Sequence, residues 1–264
     1  MSFPNIRYLR YGEEKDIAAS TVTGMELGQL AILPDGREFA RAQATTAAVL
    51  SRGCPVVSKE VAGTSVNVVA GADLAIGGTT VVLTMPATTL CTVVNQYKDG
   101  LLSINDATGE GYSYKIKTSN TAAAASTATF VLYPYDGVKV ALVSGTSECI
   151  ISENPFYGVL DRAAGTGSVG VPAGVPTVPV TAGYFCWLQR KGTATLLSAG
   201  TVAVVGRPFA CATTVAGFQA WNAQPISGTS GAGTALSPVE EVWGYTKVAP
   251  AASTEYFQGY LTLR

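Results

Sequence analysis

The side chains best able to do chemistry here are carboxylates, lysines, tyrosines and cysteines, because the 264-residue chain contains no histidine. Imidazole is the usual group that titrates near neutrality. Its absence removes Ser-His-Asp and Cys-His machinery, a histidine general base and His-ligated zinc or copper. Glycoside hydrolysis needs only two facing carboxylates. The available groups are Glu13-Glu14 with Asp16, Asp35, Asp99, Asp106, Glu110, Glu148, Glu153 and Glu240-Glu241, and most of them lie in turns or polar runs. The stretch from Asp106 to Glu110 is a loose acidic loop, without the alternating oxygen ligands and flanking helices of an EF-hand. Gly165-Thr166-Gly167-Ser168-Val169-Gly170 has the GxGxxG form of a dinucleotide site, which must open a helix. Pro172, Pro176 and Pro179 follow at once and forbid that helix, so a linker explains the glycines better. Cys54, Cys91, Cys149, Cys186 and Cys211 are odd in number, far apart and never in CxxC spacing. Four of them sit in apolar runs, as small hydrophobic residues do. No catalytic, cofactor-binding or metal-ligating residue is assigned.

The elements that would position any site are strands. Runs of Val, Thr, Ile, Leu and aromatics recur between Gly, Pro, Asn and Asp, which is the pattern of an all-β protein. The expected strands are 30–33, 55–61, 65–69, 80–85, 91–96, 101–105, 112–118, 127–133, 138–143, 148–152, 184–190, 193–197, 202–205, 242–248 and 255–263. Pro34-Asp35-Gly36, Lys98-Asp99-Gly100, Tyr135-Asp136-Gly137 and Gly77-Gly78 supply the turns between them. The best helical window is 40–51, where Phe39, Ala40, Ala47, Val49 and Leu50 form a short face ended by Gly53. The alanines at 122–125 suit a hairpin loop or strand end as well as a helix.

Charged residues make up 13% of the chain, about half the usual ~25%, which points to surface that meets protein instead of water. The net charge of −1 gives no reason to expect nucleic acid or an anionic membrane as a partner. No apolar stretch approaches the ~20 residues of a spanning helix. The opening MSFPNIRYLRYGEEKD has no apolar core of a signal peptide, so the chain reads as soluble and made in a cytoplasm-like compartment.

Five segments follow. Residues 1–20 form an extended N-terminal arm, whose Phe3, Arg7, Tyr8, Arg10 and Tyr11 are the partner-binding candidates. Residues 21–58 are a β segment packing with the C-terminal module; 59–163 are a middle β-module; 164–182 are a Gly/Pro-rich connector; 183–264 are the C-terminal β-module. Trp187, Trp221 and Trp243 all fall in the last third, with Tyr184, Phe185, Phe209, Phe218, Tyr245, Tyr256, Phe257 and Tyr260. These aromatics read either as a carbohydrate-stacking platform or, with better fit to their alternation, as a sandwich or barrel core.

The order of segments carries a resemblance. GQLAILPDGREF at 28–39, NQYKDGLLSIND at 95–106 running into GEGYSYKIK at 109–117, Ser147-Glu148 and Asn154-Pro155-Phe156 together resemble virion structural proteins of tailed bacteriophages. YFCWLQ at 184–189, the Gly-rich stretch 200–205, Trp243-Gly244-Tyr245 and the terminal strand after Thr254-Glu255 look like the capsid decoration, or cement, group. That likeness implies a non-enzymatic, all-β fold of sandwich- or barrel-like modules, β-tulip-like, with little helix. It further implies a homotrimer on the outer surface of an assembled head, clamping neighbouring major capsid subunits, with no cofactor. Residues 1–12 and the Pro-rich connector would carry the intersubunit contacts, and the middle module would project outward. A head fibre, tail component or host-surface adhesin is the alternative.

Overall fold

A computed structural model describes residues 6–20, 25–61, 63–87, 91–162, 170–199, 203–212, 216–221 and 242–263. Among them the alternating runs form seventeen strands, and the only helical pieces are 3-10 turns at Glu13–Lys15 and Gly63–Ser65. The chain is all-β, as its strand pattern implies. In chain order the first strands are β1 (Arg7–Tyr8), β2 (Leu30–Ile32), β3 (Glu38–Gln43) and β4 (Val56–Val57). Then come β5 (Val68–Ala70), β6 (Thr80–Thr84), β7 (Leu101–Asp106), β8 (Ser113–Ser119), β9 (Thr127–Leu132) and β10 (Glu148–Ser152). The last group is β11 (Leu160–Asp161), β12 (Pro172–Pro176), β13 (Phe185–Leu197), β14 (Pro208–Cys211), β15 (Phe218–Ala220), β16 (Val242–Val248) and β17 (Tyr256–Thr262). The chain divides into two compact units, Glu60–Pro155 and the remainder, Met1–Lys59 with Phe156–Arg264.

The Glu60–Pro155 unit is a closed six-stranded barrel in the order β10-β5-β6-β9-β8-β7, with every neighbouring pair antiparallel. Closure removes free strand edges. Every second residue points inward, so Tyr114 and Ile116 of β8 meet Phe130 and Leu132 of β9, while Lys115 and Lys117 face out. Tyr97 packs edge-on against Phe130 with ring centroids 5.6 Å apart.

The other unit is a sheet of eleven strands built around β13. The first half of β13 pairs with β3 and β12, and its second half with β17. The sequence reading splits this strand at Lys191-Gly192. The structure instead places a bulge between Gln189 and Lys191 and carries the strand on. Gly192 accommodates the bend at φ 91°, where an added Cβ would lie 2.9 Å from the Arg37 side chain. The buried Gln189 amide donates to the carbonyls of Lys191 and Thr193, which supports the bulge from inside.

Several local expectations change. The helical window at 40–51 contributes to β3, because four consecutive buried residues, Phe39 to Ala42, are covered on both faces and show no strand period. Within the connector at 164–182, described from Gly170 on, lies a strand of the sheet, β12, paired with β13 and β4. Its prolines sit at the strand's first and last positions, where proline is tolerated, and Gly174 lies at a register shift. Residues 91–96 and 138–143 are turns and loops, with a single bridge from Leu74 to Leu142. The short strands β14 and β15 carry too few residues to show a period.

The N-terminal arm is tied to its own sheet over the described residues 6–20. β1 pairs in parallel with β2, and Ala18 and Phe185 exchange two backbone hydrogen bonds of 3.0 and 2.8 Å. Phe3 lies outside the described residues.

Candidate functional site

Pairing of Arg7 with Ala31 and Tyr8 with Ile32 fixes the strand phase, and Leu9 then drops into a core formed with Ala31, Leu33, Phe39 and Trp187. Alternation turns Tyr8 outward to 80% exposure. A tight turn follows at Gly12, whose φ of 107° favours glycine. The Glu13 carboxylate accepts from the Arg10 amide at 2.9 Å, and the buried Glu14 carboxylate accepts from the Gly12 amide at 2.6 Å. Thr177 donates to the Glu14 carbonyl at 3.2 Å. The turn thereby holds Tyr11 outward, with Arg10 exposed and Arg7 half-buried. Beside this core, the buried Arg41 guanidinium stacks on Trp187 at 5.2 Å and on Phe185 at 5.8 Å. Its burial pushes the pKa below the ordinary arginine value.

A second surface comes from β16 and β17, whose aromatics suit a core better than a stacking platform by their alternation. The structure divides them by strand face. Trp243, Phe257, Phe209 and Phe218 are buried together, with edge-on ring contacts of 5.2 to 5.6 Å. Tyr245, Tyr256 and Tyr260 point the other way and are exposed. Tyr260 stands directly opposite Tyr245 on β16 and Thr193 on β13, which makes one uncharged row across three strands. A Cβ on Gly244 would lie 2.0 Å from the Tyr260 carbonyl, so glycine alone permits this close approach. Arg52 donates to the Tyr256 hydroxyl at 3.2 Å and stacks over the ring at 5.0 Å. The signal was present in YFQGYLT: Tyr256, Gln258, Tyr260 and Thr262 share one face, and Phe257 and Leu261 the other.

Among the described residues the chemistry-bearing groups are dispersed; Glu240 and Glu241 lie outside them. All five cysteines are buried thiols. Burial pushes Cys91 up to about 11 and Cys54, Cys149 and Cys186 up to about 12, away from the thiolate form a nucleophile needs. Among the carboxylates, Asp106 and Glu148 are cross-strand partners on the barrel's outer wall. Asp161 is held above the ordinary carboxylate range by burial, although it accepts the Ser51 amide at 2.9 Å. No group of three or more Cys, Asp and Glu side chains could hold a metal ion among the described residues. Gly165 to Val169 lie outside the described residues; Gly170 leads into β12 and abuts the Ser58 backbone so closely that a Cβ would lie 1.9 Å from its carbonyl. No helix among the described residues is long and apolar enough to cross a membrane.

Comparison with protein-family models, with curated proteins and with solved structures found no match to this chain.

Proposed function

We propose that this chain is a structural virion protein of the capsid-decoration type, which binds the outer surface of an assembled phage head as a homotrimer and clamps neighbouring major capsid subunits. The observation that carries the reading is the outward row of Tyr245, Tyr260 and Thr193, backed by a fully buried aromatic core. Tyrosine supplies large, rigid contact area at low entropic cost, and an uncharged strip can seat against protein without desolvating ions. The N-terminal segment, with Tyr8 and Tyr11 outward, serves contacts to a neighbouring subunit. In this reading the protein needs no reaction centre and works in the virion.

The test is co-sedimentation with expanded and with immature heads. The wild-type chain pellets with expanded heads only, and Tyr245→Ser combined with Tyr260→Ser weakens that binding at least about tenfold while folding is retained. Wild-type protein that stays in the supernatant with both kinds of head sinks the proposal. The same tyrosines favour one other reading, a host-surface adhesin, since phenol rings stack on sugar faces. Saturable binding to host polysaccharide without binding to heads would move the assignment there.

A further inference from the structure

One face of the sheet unit gathers side chains from β1, β2, β3 and β13. Arg7 stands opposite Ala31, Ala31 opposite Phe39, and Arg41, two residues further along β3, opposite Trp187. Residues paired in register point the same way, so Arg7, Leu9, Phe39, Arg41 and Trp187 share that face. The N-terminal chain then crosses it. From Leu9 the chain runs through the 3-10 turn, which lies against β13, to Ala18, which is bonded to the backbone of Phe185. Arg41 therefore lies beneath residues 9–18 and keeps only 3% of its surface open.

A guanidinium stays charged at any ordinary pH, so it needs hydrogen-bond acceptors once it leaves water. Arg41 has rings instead. Trp187 at 5.2 Å and Phe185 at 5.8 Å attract the cation through their faces but offer no acceptor in the plane of its N–H bonds. Among the described residues the guanidinium has no hydrogen bond and no ion pair, yet none of its nitrogens is sealed from solvent. A buried fork of donors is thus left open at a narrow mouth. Two charges act on it most: Arg7, half-buried, repels the guanidinium, and Asp16, exposed, attracts it. The other acids of the covering chain are turned to its own backbone, Glu13 to the Arg10 amide at 2.9 Å and Glu14 to the Gly12 amide at 2.6 Å. Arg41 and Arg7 against Asp16 leave one positive charge uncompensated.

We propose that Arg41, with Arg7 beside it, is the binding site for a small monocarboxylate of the acetate type. A planar carboxylate presents two oxygens to the guanidinium fork, and its single negative charge matches the one charge left over. The narrow mouth admits few atoms, which favours a small acid over a phosphate dianion or an acidic side chain on a polypeptide. The site uses none of the tyrosines of β16 and β17 and does not rest on the proposed function, so either idea can fail alone.

Thermal melting at pH 7 and fixed ionic strength, with sodium acetate replacing sodium chloride up to about 0.1 M, is the measurement, and tryptophan fluorescence reads binding directly. The wild-type Tm rises with acetate, and the fluorescence change saturates over the same range. Arg41→Met keeps the apolar stem and removes the charge; it abolishes both responses and raises Tm without acetate, because no unpaired cation is then buried. Arg7→Gln weakens acetate binding about threefold, and Asp16→Asn strengthens it by about the same factor. Inorganic phosphate and N-acetylaspartate amide bind at least about tenfold more weakly than acetate. Circular dichroism checks the fold of each variant. A wild-type Tm equal in acetate and chloride, an Arg41→Met protein that still responds to acetate, or phosphate or the aspartate amide binding as tightly as acetate would each overturn the proposal. Should Arg41→Met fail to fold, the Arg7→Gln and Asp16→Asn proteins decide the matter, and affinities that do not move in opposite directions would overturn it equally.

Discussion

The barrel unit and the sheet unit solve the edge problem of β-structure in opposite ways. The barrel is cut from one continuous stretch, Glu60–Pro155, and closes on itself. The sheet is assembled from two distant stretches of chain; its main path runs from the short β1 to the short β15, where Phe218 bridges back to Ser198 beyond β13, and β4 and β11 branch from it through β12. Short edges limit unwanted pairing, which closure abolishes altogether. Charge divides along the same line. Residues 60–155 hold eight acidic side chains against four lysines, and the remainder holds thirteen basic against ten acidic. A chain of net charge −1 therefore contains an acidic unit and a basic one, a polarity that whole-chain charge alone hides.

Core substitutions break the comparison most forcefully. Trp243→Ala removes the central ring of the sheet unit and costs about 3–5 kcal/mol; Phe130→Ala does the same inside the barrel. Amide hydrogen exchange should then show protection lost in β13, β16 and β17 for the first variant, with β6, β8 and β9 still protected, and the reverse for the second. Loss of protection in both units from either change would mean that the two cores fold as one.

A smaller effect is expected where two barrel loops touch at Gly77 and Gly137. Gly137→Val forces a side chain against the Gly77 backbone and destabilises the barrel by about 1–3 kcal/mol, read as a lower denaturation midpoint. An unchanged midpoint would show that the two loops yield freely.

The smallest effect concerns Asp161 in the sheet unit. Burial raises its folded pKa above the unfolded value, so the folded state holds the proton to higher pH. Stability is then greatest below the ordinary carboxylate range and declines as pH rises through it. Asp161→Asn removes that decline and can still accept the Ser51 amide. It should raise Tm at pH 7 slightly and leave it unchanged below about pH 3, with the sheet unit alone affected. A lower Tm at pH 7 would show that the carboxylate stabilises the fold.

Much of this architecture is legible in single segments. The alternation in Ser113–Ser119, Thr127–Leu132 and Tyr256–Thr262 marks strands with one wet face, and the structure places strands there. Phe39 to Ala42 misled because a strand buried on both faces loses its period, and Pro172–Pro176 misled because its prolines read as linker. The N-terminal candidates Tyr8, Arg10 and Tyr11 prove to be exposed on a pinned segment, whereas Tyr245 and Tyr260 were hidden by neighbours that do form the core. The Arg41 site escaped notice because Arg7, Arg41 and Trp187 stand far apart in sequence and share one face only after the strands have paired.

By itself, then, the amino-acid sequence determined the β character, the missing imidazole chemistry and the phase of the well-alternating strands. These are local properties, set by side-chain type and by a repeat of every second residue. Tertiary structure alone decided that β5 to β10 close into a barrel, that β12 joins the sheet, and which tyrosines meet solvent. Strand partners are chosen by hydrogen bonds between distant residues, and a face is buried only when another element arrives to cover it.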